Sequence, residues 1–133
     1  ELLDAVELAH DRLLGALELR PVESVVAVHP TCSARKLGIA GKLEAVVRAS
    51  ARRAVVPIAL ECCATAGDRG MLYPELSAAA LAPEAAELAA AGCTRGLASN
   101  LTCEIGLAEV TGIAFGSFLD LLDEASRPDA PRP

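Results

Sequence analysis

Aromatic residues are almost missing from this sequence: 2% in all, with two Phe, one Tyr and no Trp. A core without large rings must be built from Ala, Leu, Val and Ile, and small side chains let helices pack closely on a flat partner. No apolar run reaches the ~20 residues that a membrane-spanning helix needs. A basic footprint for nucleic acid is lacking too, since 18 acidic and 12 basic residues leave a formal net charge of −6. No Lys/Arg-rich amphipathic stretch offers itself to a membrane surface. A signal peptide is absent, and the chain opens at Glu1 in mid-pattern, as an excised piece of a longer protein would. Nor is there a glycine-rich dinucleotide fingerprint behind a strand, or any base and nucleophile constellation. A nucleic-acid partner, a membrane span and a resident FAD are thereby excluded from the reading.

What is present is apolar material for one core. The 133 residues suit a single compact domain, and 53% of them are hydrophobic at a mean hydropathy of +0.39. Five cysteines stand out: Cys32, Cys62, Cys63, Cys93 and Cys103. An odd count with two adjacent is unlike a disulfide framework and suits a reducing compartment, where thiolates are kept for metal or redox work. The expected location is cytoplasmic, with membrane association only through a parent enzyme.

Apolar spacing predicts a helix over residues 2–15, ending near Gly15. Two β-like runs follow, Leu17–Leu19 and Val25–Val28, the second continuous and bounded by Pro30 as in a strand buried on both faces. A helix is expected over 38–50 and a strand over Ala54–Ile58, with Pro57 near an edge or strand end. Gly67 to Gly70 reads as a tight loop. Residues 74–91 form helix, expected as two pieces broken at Pro83. Leu97–Ser99 is a third strand, Cys103–Val110 a short helix, Ile113–Phe115 a fourth strand and Phe118–Glu124 the last helix. The proline-rich tail, 126–133, is expected to be disordered, leaving 1–125 as the folded domain. Strands alternating with helices predict a three-layer α/β fold: a mainly parallel sheet of about four strands, helices on both faces.

In such sheets ligands bind beyond the carboxyl ends of the strands. Cys32 follows the first buried strand, Cys62 and Cys63 the second, and Cys103 the third. With parallel strands, four thiols from separate loops gather at one rim, which scattered core cysteines would not do. Soft thiolates select zinc, copper(I) or iron–sulfur clusters. Helix starts behind those loops aim N–H groups and a positive dipole end at the sulfurs, favouring thiolate.

Four segments then carry a family likeness: His29-Pro30-Thr31-Cys32-Ser33-Ala34-Arg35-Lys36, Cys62-Cys63-Ala64-Thr65-Ala66-Gly67-Asp68-Arg69-Gly70, Tyr73-Pro74-Glu75-Leu76, and Ser99-Asn100-Leu101-Thr102-Cys103-Glu104-Ile105-Gly106-Leu107. Together they resemble the C-terminal cysteine-rich domain of FAD-linked, iron–sulfur D-lactate dehydrogenases, over about Asp4 to Asp123. More distant relatives are the cysteine-rich subunits of heterodisulfide reductase and of the anaerobic glycerol-3-phosphate and glycolate oxidases. Two positions depart from the shared pattern of a Cys, a Cys-Cys-Gly and a Cys-x-x-Cys: Ala64 stands for the Gly, and Asn100 for the first Cys of the last motif. The resemblance leaves Cys32, Cys62, Cys63 and Cys103 as metal ligands, enough for a conventional four-iron, four-sulfur cluster.

What the resemblance implies is an electron-transfer module. The parent's flavin domain would oxidise D-lactate or another 2-hydroxy acid, and electrons would pass from FAD toward a cytochrome or quinone acceptor. The partners implied are the flavin and ferredoxin-like domains of the parent chain and that acceptor; the fragment alone is not expected to be catalytic. A zinc-bearing structural or docking domain is the alternative, and a metal-free thiol–disulfide centre at Cys62 and Cys63 ranks last. Around the thiols, His29 either tunes a sulfur by hydrogen bonding or is structural. Arg69 either faces the anionic site or a docking partner, or pairs with Asp68 in a turn. Ser99 and Asn100 either donate to the cluster or cap the next helix. Cys93 is expected to be a bystander, and His10 a surface residue.

Overall fold

The computed structural model of the protein describes residues 2–127. Asp4 caps the first helix, α1 (Ala5–Leu8), accepting from the Val6 N–H at 2.9 Å while Glu7 accepts from the Asp4 N–H at 3.1 Å. The helix continues as a π-turn over Ala9–Leu13. The order thereafter is β1 (Val22–Val28), α2 (Cys32–Lys36), α3 (Ala40–Ser50), β2 (Ala51–Val55), α4 (Arg69–Leu72), α5 (Pro74–Ala90), β3 (Arg95–Ala98), α6 (Leu101–Thr111), β4 (Phe115–Ser117) and α7 (Phe118–Ser126). The four strands form one sheet in the order β2-β1-β3-β4, every pair parallel.

Alternation along the inner strands divides the core into two layers. Val26, Val28 and Leu97 point to one face, where they meet Leu43, Val46 and Val47 of α3, Leu121 of α7, and Val6. Ala98 points to the other, against Leu81 of α5, Leu107 of α6, and the cysteines Cys63 and Cys103. The domain is therefore an α/β sandwich of three layers with helices on both faces, as the alternating pattern predicts. Gly96 makes one close approach: a Cβ there would stand 2.4 Å from the Phe115 ring on edge strand β4.

Several boundaries differ from expectation, each for a physical reason. Leu17–Leu19 forms no strand, because both edges of β1 are already taken by β2 and β3. The second strand covers Ala51–Val55 rather than 54–58: an edge strand tolerates the exposed Arg52 and Arg53, and Pro57 cannot extend the ladder. Likewise the fourth strand is Phe115–Ser117, in register with Gly96, Leu97 and Ala98. Helix α5 runs unbroken through Pro83. Leu81 and Leu88, both fully buried, anchor it on either side of the proline, so tertiary packing outweighs one missing backbone hydrogen bond. The Gly67–Gly70 segment is a loop only to Asp68, and α4 begins at Arg69. Of the tail, Ser126 still belongs to α7 and residues 128–133 lie outside the described residues.

Among the described residues no helix is long and apolar enough to cross a membrane.

Candidate metal centre

The strand order makes a switch point. From β1 the chain moves outward to β2, then returns past β1 to β3 and on to β4. Helices on opposite faces therefore flank β1 and β3, and doubly wound sheets bind ligands at the carboxyl ends of such a strand pair. Cys32 opens α2 directly behind β1, and Cys103 lies in the first turn of α6 behind β3. Cys62 and Cys63 reach the same place from the long loop after β2. The sulfurs stand in two pairs, Cys32–Cys62 at 3.7 Å and Cys63–Cys103 at 3.1 Å. The adjacent Cys62 and Cys63 are thus each matched to a cysteine from another loop. Cys63 and Cys103 are buried, Cys32 is half-buried and Cys62 is exposed.

Local capping explains these positions. Thr31 caps α2 by accepting from the Ala34 N–H at 3.3 Å, and its hydroxyl also meets Ser33 at 2.9 Å and Ser99 at 3.3 Å. Asn100 caps α6, accepting from the Thr102 N–H at 3.0 Å and its hydroxyl at 2.7 Å. Its carboxamide oxygen is committed to the helix, which is the capping role weighed for it. Ser99 joins the β1 and β3 ends through Thr31. Arg69 lies exposed at the start of α4.

The segment leading into Cys62 is tied down at several points. Glu87 of α5 accepts from the Ile58 and Ala59 N–H groups at 2.8 and 3.0 Å, and Arg35 donates to the Leu60 carbonyl at 3.2 Å. Thr65, 1% exposed, is wedged between two glycines. A Cβ on Gly106 would lie 2.4 Å from Thr65 Oγ1, and one on Gly70 would lie 2.7 Å from Thr65 Cα. Gly106 is one turn beyond Cys103, so this wedge sets how α6 meets the Cys63 loop. The turn holds Ala64 at φ 57° and Ala66 at φ 42°, both in the left-handed region. Ala64→Gly is accordingly expected to raise stability by up to about 1 kcal/mol, read from urea unfolding. Unchanged or lower stability would show that the turn relaxes at no cost.

The buried pair shares charge unevenly. A hydrogen bond from Cys103, against the opposing effect of burial, lowers the Cys63 thiol from 9.0 to about 5. The Thr65 hydroxyl and N–H add to this, as does the nearby His29. That hydroxyl makes no hydrogen bond of good geometry, yet it is near enough to polarise the sulfur. Cys103 moves the opposite way: its proton is held by Cys63, by burial and by the surrounding thiols. For Cys62, the Ala64 N–H at 3.4 Å favours the thiolate, but burial and the nearby Cys32 and Cys63 outweigh it and raise the pKa.

Cys93 sits apart, behind α5, where burial pushes its thiol up. His10 lies at the surface on Asp11, 2.6 Å away. His29 is different: 1% exposed, with Nδ1 2.9 and 3.1 Å from the two carboxylate oxygens of Glu84, equally buried. Glu84 and Thr65 are the residues that sequence reasoning passed over. Glu84 had a signal, since Leu81, Glu84 and Leu88 share the i, i+3, i+7 face that packs inward. Among the described residues, no three His, Cys, Asp or Glu side chains converge closely enough to hold a single metal ion.

No protein-family model matches the chain, and no curated protein matches it significantly.

Proposed function

We propose that Cys32, Cys62, Cys63 and Cys103 hold a four-iron, four-sulfur cluster. The domain then serves as the electron-transfer module of a flavin-dependent dehydrogenase acting on D-lactate or a related 2-hydroxy acid. The observation that carries this reading is the pairing of thiols from three strand-end loops, Cys32 with Cys62 and Cys63 with Cys103, behind the parallel strands of the sheet. The donor chemistry fits, because thiolates are the protein ligands of such clusters. When bound, the group supplies one-electron exchange between a flavin in another domain and a cytochrome or quinone-type acceptor.

The chain's own residues support that role in separable ways. Cys63 is buried and ready to be thiolate, so one donor is charged before any metal arrives. Cys103 lies in the first turn of the eleven-residue α6, whose positive end offsets part of the effect of Cys63, burial and the neighbouring thiols, which together hold its proton. Burial of Cys63 and Cys103 keeps water from the inner side, while the exposed Cys62 lies where an acceptor can approach.

Anaerobic reconstitution of the full chain with ferrous iron and sulfide tests the reading. A brown chromophore that bleaches with dithionite and returns on reoxidation is expected. A colourless chain that retains zinc alone would move the assignment to a structural domain.

A further inference from the structure

We propose that Cys62 and Cys32 form a peroxide-oxidation site in the metal-free chain. Cys62 takes the oxygen atom, and Cys32 resolves it into a Cys32–Cys62 disulfide joining the segments behind β1 and β2. This stands on the placement of the thiols and not on the cluster reading.

The two sulfurs are 3.7 Å apart, close to van der Waals contact. A disulfide needs ~2.05 Å, so closure takes a movement of roughly 1.6 Å. The segments that carry them are already linked in the same register. Arg35, one turn beyond Cys32 in α2, donates to the carbonyl of Leu60, two residues before Cys62, at 3.2 Å. The Ala64 N–H donates to the Cys62 sulfur at 3.4 Å and so holds it in place.

Access sets the order of reaction. Cys62 is exposed and Cys32 half-buried, whereas Cys63 is 2% and Cys103 7% exposed. Peroxide oxidises the thiolate that it can reach, so the outer pair reacts first although Cys63 is the more acidic thiol. The Cys62 thiolate attacks one oxygen of hydrogen peroxide, the O–O bond breaks, and hydroxide leaves as water once protonated. The Cys32 sulfur then attacks the resulting sulfenic acid: the S–S bond forms, the S–O bond breaks, and a second water leaves. Two thiols thereby lose two electrons and two protons, and one peroxide becomes two waters. A vicinal Cys62–Cys63 bond is disfavoured, because Cys62 faces solvent while Cys63 packs in the core with Leu81 and Ala98. Sulfurs joined in this way are no longer thiolate donors, so the outer half of the site stays closed to metal until a dithiol reopens it.

The test treats the reduced full chain, in a chelator, with one equivalent of hydrogen peroxide. Free thiols are then alkylated and disulfides mapped by tandem mass spectrometry. The expected first product is the Cys32–Cys62 disulfide, with Cys63 and Cys103 still alkylated, and dithiothreitol restores all four thiols. In Cys32→Ser the Cys62 sulfenic acid should persist and be trapped by dimedone; the wild-type map carries the result even where that variant does not fold. A first disulfide that joins Cys62 to Cys63 or includes Cys103, or a sulfinic acid at Cys62 with Cys32 still free, overturns the proposal. A chain that closes this bond yet assembles no cluster keeps the oxidation site and loses the functional reading. A chain that assembles the cluster but maps another first disulfide loses this inference alone.

Discussion

Gly70→Ala is expected to lower stability by about 1–3 kcal/mol, a fall in Tm on the order of 5–15 °C, and to abolish cluster assembly. A Cβ at Gly70 would lie 2.5 Å from Ser77 Oγ, 2.7 Å from Thr65 Cα and 3.2 Å from the Ala64 carbonyl oxygen. Two of these are backbone atoms of the turn that carries Cys62 and Cys63, and the Gly70 N–H is bonded to the Thr65 carbonyl at 2.8 Å. The methyl can enter only if α4 and the cysteine turn separate. Gly106→Ala differs in kind, because it meets only the hydroxyl end of Thr65, at 2.4 Å. Thr65→Ala should therefore rescue Gly106→Ala and fail to rescue Gly70→Ala, a non-additivity read from thermal melts of the single and double variants. Full cluster assembly in Gly70→Ala would show that the turn is not held by this contact.

In the reduced, metal-free chain, thiolate ultraviolet absorbance should rise in a first step near pH 5, belonging to the Cys63–Cys103 pair. An unperturbed thiol with a pKa of 9.0 would be only ~1% ionised at neutral pH. The sign of the stability effect follows from proton counts. Between about pH 5 and 9.0 the unfolded chain keeps a Cys63 proton that the folded chain has released, so stability rises with pH across that window and is lost as pH falls toward 5. Above 9.0 the order reverses at Cys103, which keeps its proton in the folded chain after the unfolded thiol has ionised. This pair's contribution therefore peaks near the ordinary thiol pKa. Cys103→Ala removes the donor and should return the first step to the ordinary thiol range. A step that stays near pH 5 in that variant contradicts the assignment.

The parallel α/β sheet was legible because its signal is binary: β1 is a continuous apolar run, and helix-forming stretches separate it from the other strands. Its edges were not. Arg52 and Arg53 in β2 look like a loop until one sees that an edge strand turns them to solvent, and Pro83 looks like a helix break until Leu81, Leu88 and Glu84 fasten both flanks of α5. The gathering of cysteines at one rim followed from strand-end position alone. Which sulfur meets which did not, since the pairing depends on the depth of Thr65 between Gly70 and Gly106, a contact across 41 residues of sequence at its widest. The His29–Glu84 contact, 55 residues apart, was equally hidden, because no local pattern announces a buried acid's partner.

The most direct test of the account is iron and sulfide analysis after anaerobic reconstitution of the wild-type chain and of each Cys→Ser variant. The account predicts about four irons per chain in the wild type and in Cys93→Ser, with major loss in the variants at Cys32, Cys62, Cys63 and Cys103. Equal iron in Cys63→Ser and wild type, or a wild-type chain that binds none, would contradict it.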